Sequence, residues 1–523
     1  MQRGAGRASA QRGAMGVLPQ AAAVVVAAVI FTLIYDPFHA GLLAFIALAP
    51  LTLVFTDPNA GCSLPRAAFC GFAFGLLASM AIVGPWMFAA SVDYFDRSAV
   101  WSFAFTLFIN ALYVALFYAP LFVVLRLLAF TPPLARALGA ACAWIAFESL
   151  RSMDPAGNAW ALLGQGFANL PLLREAAAYG GAAGLGLGAA LCGSAIGIAM
   201  QPDIGARDAL GCVRIAVAAP TVLALLGVVV SKNDRVHAPL SALRVAVVQA
   251  EIASRDIWDP AQRVAHWNAY LEATETIPPG KADLVVWPES AAPFLLDSDP
   301  AAQSRLAELS AKLDAAILLG APRTKTIAEG RAALLNSVYF FAPGIAQPRT
   351  YDKQRLLPFV ETTAALNSGD QAMDYAPGSG PELFNVRGWQ IAPLLCFEAV
   401  YPQYARAAVQ RGAHLLVNLS NDAWFAGGAG PEQHYSMSRL RTVELRRSMV
   451  RASNGGISAA IGADGQEIGF PIRRRKAVHI YEIPPPSRMT TTASTHPNVV
   501  GWLSAALTLL ALTTATRARH TAR

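Results

Sequence analysis

At 523 residues the chain exceeds one ordinary domain, and it is 54% hydrophobic with only 14% charged residues. With a mean hydropathy of +0.40, this composition excludes a disordered chain and an ordinary soluble enzyme, and it implies a protein built into a membrane. The net charge of +7 sits mostly in loops and tails between apolar runs, so no nucleic-acid partner is expected.

Residues 1–14 carry Arg3, Arg7 and Arg12 and no acid, and an apolar run follows over 15–34. That run is longer than a signal-peptide core, lacks a small-x-small cleavage site before Tyr35, and precedes further apolar runs, so an uncleaved first span is expected. The other runs lie at 39–56, 67–91, 99–128, 134–152, 174–200, 213–231 and 497–516, which makes eight spans. Arginines gather in alternate loops: Arg66, then Arg126 and Arg136, then Arg207 and Arg214, then the tail with Arg517, Arg519 and Arg523. Asp36, Asp93 and Asp96 lie in the loops between. The positive-inside rule then places residues 1–14 in the cytoplasm and residues 232–496 on the far side. Gly180, Gly184 and Gly188 line one helical face that admits a close neighbour, and Glu148 and Arg151 are expected to pair or to line a lipid-access groove.

From residue 243 the pattern changes. Short strand-like runs at 243–249, 283–287, 316–320, 337–341, 391–395, 414–419 and 457–462 alternate with helix-compatible stretches such as 260–276 and 301–315. This predicts an α/β domain, a two-sheet sandwich flanked by helices rather than an open doubly wound sheet. Three apolar runs end in ionisable groups. Glu289 follows Trp287-Pro288, Lys353 and Glu361 bracket a proline-containing stretch, and Cys396 and Glu398 follow 391–395. Cys396 is the lone cysteine of the polar half, with no disulfide partner nearby. Singly, each group reads as a solvated charge or a core cysteine. Together they make an acyl-transfer set, in which a carboxylate takes the thiol proton and an ammonium steadies the oxyanion. The eight histidines show no i, i+4 pair and no clustering with cysteine along the chain, so no metal is expected. The basic run 473–476 reads as a solvated face or as a contact for anionic head groups.

Several motifs occur in order: Trp287-Pro288-Glu289; Tyr351-Asp352-Lys353 with Leu357-Pro358-Phe359-Val360-Glu361; Cys396-Phe397-Glu398; Asn-Leu-Ser-Asn-Asp-Ala-Trp-Phe at 418–425; Gly-Pro-Glu-Gln-His at 430–434; and Arg-Ala-Ser-Asn-Gly-Gly at 451–456. They resemble the Glu-Lys-Cys signature of the nitrilase (carbon-nitrogen hydrolase) superfamily, and with eight spans the chain resembles its membrane-embedded branch, the apolipoprotein N-acyltransferase family. The resemblance implies an αββα nitrilase-like sandwich inserted between transmembrane helices. Residues 1–231 would form a membrane domain of seven spans, 232–496 a catalytic domain on the periplasmic side of a bacterial inner membrane, and 497–523 the eighth span and cytoplasmic tail. It implies Glu289 as general base, Lys353 as oxyanion stabiliser and Cys396 as nucleophile, with Glu361 and Glu398 in support and Trp258 and Phe397 near the substrate. The implied reaction moves an acyl chain from a phospholipid, typically phosphatidylethanolamine, through a cysteine thioester to the N-terminal amine of diacylglyceryl-cysteine on an apolipoprotein. No cofactor is implied, and a monomer is expected. Phe397 stands where the family commonly has Tyr, and Val360 where it commonly has Gly. Two other readings stay open: a membrane-tethered amidase or nitrilase that releases its acyl group to water, and a lipid-binding scaffold or transporter. Few ionisable groups in the spans argue against the transporter.

Overall fold

In the computed structural model, which describes residues 2–153, 157–234, 236–253, 255–326, 332–358, 361, 375–425 and 428–521, the chain divides into two compact units. One comprises Met1–Val92, Asp96–Lys232 and Thr495–Arg523, the other Asp93–Phe95 and Asn233–Ser494.

The first unit is helical: α1 (Gln2–Ile34), α2 (Ala49–Phe55), α3 (Leu64–Ile82), α4 (Gly84–Asp93), α5 (Ala99–Asn110), α6 (Leu116–Leu128), α7 (Pro133–Arg151), α8 (Pro171–Arg174), α9 (Ala177–Ala199), α10 (Ala206–Asn233) and a C-terminal helix, Val499–Thr521. Five stretches among the described residues are long and apolar enough to cross a membrane: Leu64–Ile82, Ala99–Leu128, Ala177–Ala199, Ala206–Asn233 and Val499–Thr516. The runs predicted at 15–34 and 39–56 correspond to shorter apolar helices, Leu18–Ile34 and Gly41–Phe55. The run at 134–152 is α7, which carries Arg136, Glu148 and Arg151. The run at 67–91 is divided, because Gly84-Pro85 starts a new helix at α4. Glu148 and Arg151 direct their hydrogen bonds elsewhere than to each other. Glu148 accepts from Trp144 Nε1 (3.0 Å) and Leu163 N (2.9 Å), and Arg151 donates to the carbonyls of Trp160 (3.0 Å) and Ala161 (3.3 Å). A Cβ on Gly188 would lie 2.6 Å from Leu223 of α10, so a larger residue there would displace that neighbour.

Among the described residues the second unit holds twelve strands, β1 (Leu243–Gln249), β2 (Leu284–Val286), β3 (Ala316–Thr326), β4 (Ala332–Phe341), β5 (Arg349–Asp352), β6 (Phe384–Val386), β7 (Trp389–Leu395), β8 (Leu415–Asn421), β9 (Ser448–Asn454), β10 (Ile457–Ile461), β11 (Glu467–Arg473) and β12 (Ala477–Ile483). They form two six-stranded sheets, ordered β12-β1-β2-β3-β4-β5 and β11-β10-β9-β8-β7-β6. The helices α11 (Arg263–Glu275), α12 (Pro300–Leu313), α13 (Pro402–Gln410) and α14 (Gly430–Leu445) complete it. Side-chain alternation decides the layers. In β1, Leu243, Val245 and Val247 point into the core between the sheets, while Ala246 and Val248 meet Leu271 of α11 and Leu306 of α12. In β7, Ile391 and Leu395 enter the inter-sheet core, and Ala392 and Leu394 pack with Ala405 and Ala408 of α13. Strands buried on both faces therefore read as continuous apolar runs, and each fully buried Val, Leu or Ile contributes about 1.5–3 kcal/mol. The result is the expected αββα sandwich.

Candidate active site

The parallel strands β7 and β8 run in register up to Leu395 opposite Leu419. There the ladder of β7 stops, because Cys396 adopts a left-handed backbone conformation (φ 47°) and the chain turns into a short 3₁₀ helix, Cys396–Ala399. A non-glycine residue holds that conformation only where its surroundings impose it. Glu398 supplies much of the constraint. One of its carboxylate oxygens accepts from Leu395 N (2.7 Å) and Tyr351 Oη (2.7 Å), the other from Gln354 N (2.6 Å) and Arg355 N (3.2 Å). This buried carboxylate thus ties the corner carrying Cys396 to the segment carrying Lys353. Burial pushes its pKa up, and the four donors oppose the rise.

Lys353 follows β5 directly, with its N–H on Asn336 O of β4 (2.8 Å). Asp352 beside it is clamped by Arg323 (2.7 and 2.5 Å) and Ser337 (2.8 Å). The Lys353 ammonium lies 3.3 Å from Glu289 and 3.0 Å from Glu361. Burial works against its charge, but Glu289 and Glu361 outweigh burial and hold its pKa well above the ordinary value. Asn336 Nδ2 donates to both carboxylates, at 2.8 and 2.9 Å, and Glu361 also accepts from Leu357 N at 2.7 Å. Phe359 and Val360, which precede Glu361, lie outside the described residues.

Glu289 lies just past the short strand β2, whose pairing with β3 ends at Val286 opposite Leu318; beyond it the Pro288 carbonyl accepts from Gly320 N (3.1 Å). Its second carboxylate oxygen accepts from Asn421 N (3.1 Å). Burial, then Glu289, push the Cys396 thiol well above its ordinary value, against the opposing pull of Lys353, so the resting sulfur keeps its proton. Cys396 is only 4% exposed. It nevertheless lines a cavity of about 1140 Å³ together with Glu289, Lys353 and Glu361, whose apolar wall includes Phe95, Trp258, Trp267, Phe294 and Leu295. Trp258 lies on that wall. Phe397 sits behind it, against Trp424 (6.3 Å between ring centres) and His434 (5.5 Å), and Trp424 is the member of that trio that reaches the cavity.

The sequence alone assigns no roles to the polar groups behind Cys396. Asp422 is fully buried; it accepts from Ser420 Oγ (2.8 Å) and Arg451 (2.6 Å). His434 Nε2 lies 3.2 Å from the Cys396 carbonyl, and Nδ1 lies 3.0 Å from Asp422 Oδ1 and 3.1 Å from Arg451. Nε2 faces only an acceptor, the carbonyl, whereas Nδ1 has both a carboxylate and the Arg451 donor beside it, so the tautomer protonated at Nε2 satisfies the carbonyl and leaves Nδ1 to accept from Arg451. Burial and Arg451 lower the imidazole pKa, which keeps that ring neutral. Asn418 donates to the same carbonyl (3.3 Å) and accepts from Arg451. The fold also makes a cluster that spacing along the chain did not suggest: Cys396, Asp422 and His434 present possible metal-ligand atoms within 4.8 Å of one another. The Arg451 guanidinium already occupies Asp422, and a fixed positive charge there disfavours a cation.

Residues 244–492 match the carbon-nitrogen hydrolase family, and residues 27–195 match the apolipoprotein N-acyltransferase N-terminal domain. The apolipoprotein N-acyltransferase of Azotobacter vinelandii is 32% identical over 473 residues, 87% of this chain and 87% of that protein. That of Pseudomonas aeruginosa is 31% identical over 346 residues, 64% of this chain and 65% of the relative, so this match spans just under two thirds of its length. Among solved structures, a CN-hydrolase superfamily protein from Xanthomonas campestris with an arsenic adduct in its active site aligns with a TM-score of 0.38 and 21% identity, over 51% of this chain and 97% of its own. An amidase from Nesterenkonia sp. aligns with a TM-score of 0.36 and 19% identity, over 51% of this chain and all of its own.

Proposed function

The chain belongs to the apolipoprotein N-acyltransferase family, and on that premise we propose that it moves an acyl chain from a membrane phospholipid, typically phosphatidylethanolamine, through a thioester on Cys396 to the N-terminal amine of diacylglyceryl-cysteine on an apolipoprotein. In the first half-reaction Glu289 takes the thiol proton and the sulfur attacks the ester carbonyl. The C–O bond breaks, and the departing lysophospholipid oxygen receives the proton from Glu289. In the second, the amine attacks the thioester, the C–N bond forms, the C–S bond breaks, and a proton from the amine returns through Glu289 to the sulfur. Lys353, charged and held between Glu289 and Glu361, steadies the oxyanion in both halves. The enzyme acts as a monomer with eight spans, its catalytic unit on the periplasmic side of a bacterial inner membrane.

One observation carries this reading. A thiol, a carboxylate and an ammonium that are buried together open onto a large cavity walled by aromatic and aliphatic side chains. A small polar amide leaves most of such a wall bare, whereas an acyl chain covers it. The test is intact mass spectrometry of the purified enzyme given phospholipid without an amine acceptor. An acyl-sized increment that hydroxylamine removes, and that Cys396→Ser lacks, is expected. Continuous release of free fatty acid without an acceptor would instead mean a hydrolase.

A further inference from the structure

β9 ends at Asn454, which is buried and stands opposite Asn421, the last residue of β8, in parallel register. Its side-chain amide does what a neighbouring strand would do. Oδ1 accepts from Ile252 N (2.8 Å) and Nδ2 donates to Ile252 O (2.8 Å), so one side chain pairs both backbone groups of one residue. Those two bonds fix which end of the amide is oxygen, and the second Nδ2 hydrogen goes to Asn421 Oδ1 (3.3 Å). Two parts of the site start from this amide. On one side, Glu251 takes a left-handed conformation (φ 57°) just before Ile252, and Asp256 N and Asp259 N close successive turns on Ala253 O (3.0 Å) and Asp256 O (3.1 Å). These turns lead directly to Trp258 on the cavity wall. On the other side, Asn421 N donates to Glu289 Oε2 (3.1 Å). Resting on Glu289 as the general base and on the cavity as the acyl-chain site, we propose that Asn454 is a positioning residue that registers the acyl-chain wall against the base. No bond is made or broken at Asn454.

How much rests on Asn454 depends on what else fastens this wall. Arg255 donates to Asp93 O (2.5 Å) and pairs with the Asp93 carboxylate (3.8 Å), and Tyr94 and Phe95 beside Asp93 line the same cavity. Both partners of that link are more than half exposed, so it contributes little in water. Asn454 is only 2% exposed, and its bonds are shielded from competing solvent. Tyr94, Phe95 and Trp258 lie outside the described helices and strands, so among the described residues no helix or strand ladder holds them. An acyl chain packed on Trp258 and Phe95 therefore meets a wall placed by the same amide that steadies the strand end donating to Glu289. Its carbonyl carbon reaches the sulfur with the base already in position. Deleting the amide loosens two things at once, the grip on the chain and the orientation of the base.

The experiment uses the full-length enzyme in detergent micelles. It follows single-turnover acylation of Cys396 by intact mass against the concentration of phosphatidylethanolamine, with donors of short and of long acyl chain. Asn454→Ala is expected to lower the acylation rate at saturating donor about tenfold, as for loss of buried hydrogen bonds. It is also expected to raise the half-saturating concentration of the long-chain donor about tenfold, while that of the short-chain donor, which covers less of the wall, stays nearly unchanged. Asn454→Asp keeps an acceptor for Ile252 N but has no donor for Ile252 O or Asn421, and should show the same pattern. Trp258→Ala should weaken long-chain binding as well, and adding Asn454→Ala to it should weaken that binding no further while the slower rate persists. General loosening would instead affect both donors alike and add to the effect of Trp258→Ala. That result, wild-type kinetics in Asn454→Ala, or loss of the folded protein in both Asn454 variants, which would make the residue part of the scaffold, overturns the proposal. Absence of acyl mass on wild-type Cys396 would overturn the acyl-transfer reading and this inference with it, whereas acyl mass with an unchanged chain preference in Asn454→Ala would overturn this inference alone.

Discussion

Lys353 and Glu289 touch each other, yet their loss should stop the cycle at different points. Because burial and Glu289 keep the resting thiol protonated, Glu289→Gln leaves the proton without an acceptor, and acyl-enzyme should not accumulate from phospholipid at neutral pH. Lys353→Ala removes the positive charge that favours both thiolate and oxyanion, so acylation and deacylation should each slow by about 10²- to 10³-fold. Raising the pH should partly restore acylation in the lysine variant, whose defect includes a less acidic thiol, and restore it less in the glutamine variant. Thioester formation against pH, read by intact mass, checks this; normal acylation by Glu289→Gln would remove the general-base assignment. These three groups were legible in the sequence because each is a chemically distinctive residue at the end of an apolar run. Ser420, Asp422, His434 and Arg451 were visible only as members of motifs. Ordinary polar residues spread between positions 420 and 451 come together only when the fold closes them behind Cys396.

At the scale of elements, the site depends on how closely β3 approaches the end of β2. A Cβ on Gly320 of β3 would lie 2.6 Å from Glu289 Cα and 2.8 Å from Ser290 N, both backbone atoms that cannot swing aside. Gly320→Ala should therefore push Glu289 away from the sulfur and lower the single-turnover acylation rate by about 10²-fold, the usual effect of a displacement near 1 Å. An unchanged rate in a variant with a normal unfolding temperature would show that the approach is not needed. The strands that frame this contact were readable because their residues are apolar on both faces. Others were not: β5 and β6 are too short, at four and three residues, to display a period. In β9, Arg451 and Asn454 interrupt the apolar run although every residue is buried. They are tolerated because each finds a hydrogen-bond partner inside the sandwich.

At the scale of the whole molecule, apolar runs revealed the membrane unit more readily than its helix boundaries, since hydropathy is insensitive to a break such as Gly84-Pro85 or to the left-handed Gly181 (φ 62°) inside α9. The proposed orientation rests on the distribution of arginines among the loops. A reporter that functions only outside the cytoplasm, fused after Pro239, is expected to be active, and cytoplasmic activity at that point would overturn the eight-span arrangement. The same region holds one more consequence. β1 and β12 pair antiparallel along their whole length, from Leu243 opposite Ile483 to Gln249 opposite Ala477, and facing residues in such a pair stand only about 4.5–5.5 Å apart. The chain thus leaves the sandwich beside the point where it entered. Such a unit is a cassette fastened by its own two ends: a gene for a free-standing hydrolase could be spliced between two helix-coding segments without prising those helices apart.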